Sequence, residues 1–97
     1  MKNLIQQLTE ISSPSGREEN IRKCIQELIR PYVDQIQIDA LGNIIAFKKG
    51  NGGKKLLLDA HMDEIGFLVS HIDEQGFLRV EPVGGHNPVK MPNQRLR

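Results

Sequence analysis

The fold of this chain is decided by the stretch LLLDAHMDE, residues 56–64, in which an unbroken apolar run leads into a His-x-Asp pair. Three successive leucines are typical of a buried, central β-strand. Because side chains alternate along a strand, His61 and Asp63 are expected on one side, where the carboxylate can orient an imidazole whose other nitrogen binds a metal ion. The stretch therefore predicts a strand over residues 55–60 that presents a metal-ligand histidine at its carboxyl end.

Other polar residues near His61 and Asp63 are weaker candidates for a metal or catalytic site. Asp59 has the same parity as His61, but a sheet position lined by polar side chains would give the same pattern. Glu64 has the opposite parity, which favours a structural role over that of a general base. His71 and His86 have no carboxylate at a ligand-like spacing, so we expect ordinary roles for both. For His61 itself, the alternative to metal binding is a strand-end histidine that faces water.

Length and composition restrict the class of protein. The 97 residues suffice for one small domain, which by size scaling would bury about 60 to 65% of its unfolded surface. Thirteen Lys and Arg against twelve Asp and Glu give a net charge of +1, with no basic patch to indicate nucleic acid. The single Cys24 excludes an internal disulfide and is expected to pack in a core. No secretion signal or membrane span is predicted, so we expect a soluble, cytoplasmic protein.

Apolar periodicity predicts two helices before the sheet begins. Residues from about 2 to 12 have helical spacing, and a second apolar stripe runs from Ile21 to Ile29. Ser15 and Glu18 have the spacing of a capping box, which would start the second helix, and Pro31 should end it.

The remaining periodicity predicts at least five strands. They are expected around residues 36–38, 44–48, 55–60, 65–72 and 77–83. Turns are expected at Leu41–Asn43 and at Asp73–Gly76, and the Gly-rich stretch from Gly50 to Gly53 is expected to close a hairpin between the second and third strands. After Gly84, prolines and glycines interrupt regular structure, and the last residues alternate like a strand that stops without a turn or cap.

Several motifs together resemble one protein family over essentially the whole chain. They are AHMDEIGF at residues 60–67, GFL at 76–78, PVGG at 82–85, SGREE at 15–19 and DALGN at 39–43. In order and spacing these segments resemble the N-terminal portion of the glutamyl and tetrahedral aminopeptidases. The resemblance is far more specific than the His-x-Asp pair alone.

The resemblance implies a fold and a chemistry. The fold would be α/β: the N-terminal part of a three-layer sandwich like that of zinc exopeptidases. Residues 1–83 would belong to the catalytic domain, and residues 84–97 would begin an inserted β domain used for oligomerisation. The activity would be metal-dependent removal of N-terminal residues from peptides by a full-length homo-oligomer, with two zinc or cobalt ions bridged by an aspartate and a water. His61 would bind one ion, and Asp63 would hold His61.

The same resemblance implies that the site is incomplete here. The bridging aspartate, the catalytic glutamate and the other ligands of the family follow the point where this chain stops, so we expect a fragment that is inactive alone and binds zinc weakly at most. One alternative is an interaction or regulatory module that kept the first third of the fold and lost its chemistry. Another is an endoglucanase, because some relatives carry that label.

Overall fold

The computed structural model describes residues 1–96, and the architecture is α/β. Two helices come first and two separate antiparallel hairpins follow. The elements are α1 (Lys2–Thr9), α2 (Glu19–Ile29), β1 (Gln35–Ile38), β2 (Ile44–Phe47), β3 (Gly66–Ile72) and β4 (Leu78–Val83). Short 3-10 turns cover Arg30–Tyr32 and Pro88–Lys90. No helix among the described residues is long and apolar enough to cross a membrane.

Both predicted helices are present, with different boundaries. The first ends at Thr9 rather than near residue 12. The second ends at Ile29, as the proline two residues later predicts, but it begins at Glu19 and makes no side-chain cap. The predicted capping box is therefore wrong. Gly16 has φ +82°, a left-handed conformation that cannot belong to a helix, so the chain between Ser15 and Glu18 is a loop. Cys24 is half-buried, and its sulfur accepts a hydrogen bond from Gln7 of α1 at 3.4 Å.

The two hairpins have turns with the same construction. In each, an aspartate carboxylate accepts the amides two and four residues further along: Asp39 from Leu41 and Asn43, and Asp73 from Gln75 and Phe77. In each, the glycine three residues after the aspartate has φ +87°, a conformation that glycine adopts without a steric penalty. Both turns were predicted from the sequence. Strand β1 pairs with β2 from Gln35↔Phe47 to Ile38↔Ile44, and β3 pairs with β4 from Gly66↔Val83 to Ile72↔Leu78.

The predicted third strand, residues 55–60, does not form. Residues 54–63 have no regular secondary structure, so the Gly50–Gly53 hairpin is also absent, and the five-stranded sheet is replaced by two hairpins. Leu56, Leu57 and Leu58 are each about 85% exposed. A central strand needs a hydrogen-bonded neighbour on each edge and apolar layers on its faces, and the rest of residues 1–96 supplies neither.

The chain is more open than a folded domain of its size. Its surface is 8993 Å², against about 5,600 Å² for a compact monomer of this mass. It buries only about 44% of its unfolded surface, so the predicted 60 to 65% is wrong. The radius of gyration is 17.8 Å, against about 12.5 Å for a compact chain of 97 residues. Among the described residues only Ser13 and Ile21 are buried.

Candidate functional site

The two residues of the His-x-Asp pair contact each other although they do not lie on a strand. The Nδ1 atom of His61 lies 2.9 Å from Oδ1 of Asp63 and 3.1 Å from the backbone oxygen of the same residue. The two side chains therefore lie on a shared side, as alternation predicts, in a segment without regular secondary structure. The side chain of His61 is 86% exposed, and that of Asp63 is 34% exposed.

This geometry determines which nitrogen of His61 carries the proton. Both partners of Nδ1 are oxygen atoms without hydrogens when the carboxyl group is ionised, so Nδ1 must be the donor. In the neutral ring the lone pair is then on Nε2, on the exposed side of the imidazole. A histidine held in this way by a carboxylate has the arrangement that is usual for metal ligands.

A serine from the loop before α2 holds the other oxygen of the carboxylate. The Ser15 hydroxyl donates a hydrogen bond to Oδ2 of Asp63. This bond, and then the one from His61, hold the pKa of the Asp63 carboxyl below its usual value, because both favour the ionised form. The carboxylate is therefore charged at neutral pH and fixed at both oxygens.

The loop before α2 is also hydrogen-bonded to Glu64, the residue that follows Asp63. The amide of Ser13 donates to Oε1 of Glu64 at 2.9 Å, and the amide of Glu64 donates to the carbonyl oxygen of Ser13 at 3.0 Å. A Cβ atom at Gly66 would lie only 3.0 Å from Cβ of Pro14, so glycine at this position permits the close approach of the loop. These contacts give Glu64 a structural part, as its parity predicts.

A cleft of about 430 Å³ lies beside the pair. It is lined by Glu18 and Arg22 of the helical region, by the β1–β2 turn and by residues 57–63, which include Asp59. Arg22 connects α2 to that turn, because its Nε donates to the carbonyl oxygen of Gly42 at 2.6 Å. Within residues 1–96 no three His, Cys, Asp or Glu side chains come together to hold a metal ion. His61 with Asp63 fits one ligand of a site, not a whole site.

The other two histidines have different surroundings. His71 is an exposed residue of β3. His86 packs on Phe67 with ring centroids 4.4 Å apart, and its Nε2 lies 2.9 Å from the carbonyl oxygen of Gly66 and 3.1 Å from that of Val83. Because both partners are acceptors, Nε2 donates, and His86 connects the start of β3 to the end of β4.

The sequence pattern did not reveal the contact of Ser15 with Asp63 or the structural role of His86. Ser15 was assigned to a helix cap because its spacing to Glu18 fits one. The glycine directly after it was the available signal against that assignment, since it favours a loop. For His86 one acceptor, Val83, is three residues away, but the other, Gly66, is twenty residues away, so the local sequence does not reveal that His86 connects two strands.

Comparison with known proteins identifies the family. The profile of the family described as M42 glutamyl aminopeptidase matches residues 42–97. The chain belongs to this family. Among curated relatives, the lysyl aminopeptidase of Pyrococcus furiosus is 40% identical over 97% of this chain. Among solved structures, aminopeptidase APDkam598 of Desulfurococcus kamchatkensis has 46% identity and a TM-score of 0.81 over 86% of this chain.

Two further solved structures that are similar to this chain carry different descriptions. A Thermotoga maritima protein whose structure is described as an endoglucanase has 44% identity and a TM-score of 0.78 over 86% of this chain and 27% of its own. PhTET1-12s, described as a dodecamer in the asymmetric unit, has 40% identity and a TM-score of 0.77 over 90% of this chain and 26% of its own. The chain spans 27% of the lysyl aminopeptidase and 23% of APDkam598, about a quarter of each.

Proposed function

We propose that this chain is the N-terminal part of a metal-dependent aminopeptidase, and that His61 binds one of two divalent ions, zinc or cobalt. The observation that supports this most directly is the Asp63 carboxylate at 2.9 Å from Nδ1 of His61, which leaves Nε2 without a partner among residues 1–96 on a side chain that is 86% exposed. The family supports peptide hydrolysis as the reaction.

The contacts support a division of roles between His61 and Asp63. His61 binds the metal through Nε2, and Asp63 keeps the ring in the required tautomer without touching the ion. A divalent ion held there would supply an activated water for hydrolysis of a peptide bond at neutral pH. The remaining ligands and the general base come from outside residues 1–96. The 97-residue chain alone therefore binds zinc weakly and does not hydrolyse peptides.

The proposed architecture explains the exposed leucines. In the complete catalytic domain, residues 55–60 become a central strand of a three-layer sandwich, paired on both edges and covered by helices. Residues 84–97 begin an inserted β domain, of which Arg97 lies outside the described residues. A similar structure described as a dodecamer supports assembly into a homo-oligomer, and we assign the subunit contacts to that domain. We place the protein in the cytoplasm, with peptides as substrates and without nucleic-acid or membrane partners.

The test uses the polypeptide of the complete reading frame, called the full-length protein below. We expect it to release amino acids from peptide amides, and a chelator to abolish this activity. His61→Ala should lower kcat/KM by more than the roughly 10–100-fold loss that follows removal of a residue supporting a metal ligand. His71→Ala, the same substitution at an exposed histidine of β3, is the control and should leave the activity unchanged.

The endoglucanase description of one similar structure defines a second test. Glycosidases of the retaining and inverting types use two carboxylates across the sugar, whereas a histidine held for metal binding has no part in that chemistry. The full-length protein should therefore not cleave cellulose oligomers. Chelator-insensitive cleavage of such oligomers, without peptidase activity, would overturn the proposed function. Correct folding without either activity would favour the interaction module.

A further inference from the structure

The loop that precedes α2 contains a hydroxyl that is not used by the helix. The Gly16 amide is bonded to Oε1 of Glu18 at 2.5 Å, and α2 begins at Glu19 without a side-chain cap. The hydroxyl of Ser15 instead crosses to the segment 48 residues further along and bonds to Oδ2 of Asp63. This hydroxyl therefore serves a tertiary contact rather than the local structure of its own loop.

Ser15, Asp63 and His61 form a continuous chain of hydrogen bonds. Ser15 holds Oδ2, and Oδ1 lies 2.9 Å from Nδ1 of His61. A carboxylate held only by the histidine could turn about its Cβ–Cγ bond, because the side chain is one-third exposed and the histidine itself is almost free in solvent. With both oxygens fixed, the plane of the carboxylate is set, and with it the direction of the imidazole.

The backbone around Ser15 is also fixed relative to Asp63. The reciprocal hydrogen bonds between Ser13 and Glu64 and the close approach of Pro14 to Gly66 place the two segments side by side. Ser15 therefore reaches Asp63 from a backbone that is already held, so little side-chain freedom is lost when its hydrogen bond forms.

We propose that Ser15 is a positioning residue of the metal site, which fixes the Asp63 carboxylate and through it the direction in which His61 presents Nε2. This inference rests on the proposed function for the metal, but the orientation of the carboxylate can be measured without one. Ser15 touches neither the ion nor the substrate, so it acts on metal affinity and on kcat rather than on substrate binding.

The experiment compares Ser15→Ala, Ser15→Thr and Ser15→Val in the full-length protein. The threonine and valine variants have the same shape and differ in the hydroxyl group, so they remain comparable if the alanine variant alters the loop. Ser70→Ala is the control, because it removes a serine hydroxyl whose hydrogen bond, to the carbonyl oxygen of Arg79, lies within the second hairpin. The measurements are zinc affinity by competition with a chromophoric chelator, kcat and KM separately, the melting temperature, and crystal structures of the metal-free variants.

We expect Ser15→Ala and Ser15→Val to weaken zinc binding by about tenfold, the lower end of the effect of removing a residue that supports a metal ligand, because Ser15 is one bond further away. Their kcat should fall while KM stays the same, and their Asp63 carboxylates should be turned away from His61. Ser15→Thr should retain parent-like zinc affinity and carboxylate orientation, and Ser70→Ala should match the parent in all measurements.

The results separate failure of this inference from failure of the proposed function. A parent protein that neither binds zinc nor hydrolyses peptides rejects the proposed function, and the crystal structures then decide the part of Ser15. An active parent whose valine variant keeps full zinc affinity and an unchanged Asp63 carboxylate overturns the role of Ser15. Equal losses of zinc affinity in the threonine and valine variants would overturn this role as well, because the hydroxyl group would then have no effect.

Discussion

At the scale of single residues, the sequence pattern and the three-dimensional contacts agree best for His61 and Asp63. The two-residue spacing predicted that the side chains would share a side, and the 2.9 Å contact is present even without the expected strand. The contact needs no paired strand, because the direction of neighbouring side chains depends on local dihedral angles rather than on pairing with a neighbour. The metal-binding role of His61 remains a prediction.

Gly84 is a residue whose identity is dictated by its backbone and its surroundings. It has φ +84°, and a Cβ atom there would lie 2.9 Å from Cγ2 of Ile65. We expect Gly84→Ala to lower the free energy of unfolding of the full-length protein by at least about 1 to 2 kcal/mol, the usual steric penalty of a left-handed residue. Urea unfolding measures the change.

Gly85 provides the matched control for this prediction. It has no positive φ, and a Cβ atom there would meet nothing within 4 Å. Gly85→Ala should change the free energy of unfolding by less than about 0.5 kcal/mol. Equal stability of the two variants would show that Gly84 does not keep its left-handed conformation and its close approach to Ile65 in solution.

At the scale of elements, the hairpins were predicted where their turns have a strong local signal. The pattern Asp-x-x-Gly, at Asp39–Gly42 and Asp73–Gly76, contains both the carboxylate acceptor and the glycine that the turn needs. Interactions within five residues are enough to form such a turn. The start of α2 was predicted wrongly because Ser15 has two possible partners, and the distant one, Asp63, is the one it contacts.

The first turn has a contact that the second lacks, and this makes its hairpin sensitive to pH. The Asn43 side chain donates to Oδ2 of Asp39 at 2.8 Å and is the main reason that the pKa of the Asp39 carboxyl lies below its usual value. Because the folded-state pKa is depressed, the stabilisation is present above the unfolded-state pKa of about 3.9. It is lost as the pH falls through the folded-state value.

Replacing Asn43 tests this contact directly. Asn43→Ala should raise the pKa of Asp39 toward its usual value, and acid should then weaken the hairpin less in the variant than in the parent. The measurement is an NMR titration of the Asp39 side-chain carboxyl carbon between pH 2 and 6. Asn51→Ala, an asparagine in the exposed loop after β2, is the control. An unchanged Asp39 titration in the Asn43 variant would contradict the predicted contact.

At the scale of the whole molecule, the run of three leucines at residues 56–58 predicts a central strand paired on both edges, and this prediction is wrong for residues 1–96. A surface of 8993 Å² and a radius of gyration of 17.8 Å show that residues 1–96 do not enclose a core of their own. Burial of a central strand depends on chain segments far away in sequence, which a local pattern cannot supply.

This exposure leads to a prediction about the isolated chain. The 97-residue polypeptide should bind an apolar-surface dye strongly, and replacing Leu56, Leu57 and Leu58 together by serine should lower the signal, because these side chains are exposed. The full-length protein should bind little dye. Replacing Lys48, Lys49 and Lys54 by serine is the control and should leave the dye signal unchanged. A compact isolated chain that binds no dye would contradict the exposed arrangement and favour a self-contained module.

The sequence by itself determined the helical stripes, the two Asp-x-x-Gly turns and the shared side of His61 and Asp63, because each depends on dihedral angles and contacts within a few residues. Only the tertiary structure decided that Ser15 bonds to Asp63 rather than capping α2, that His86 connects β3 to β4, and that the leucine run is unpaired within residues 1–96. The first two features join residues 48 and 20 positions apart, and the third reflects pairing segments that residues 1–96 do not supply, so none of them can be read from a local pattern.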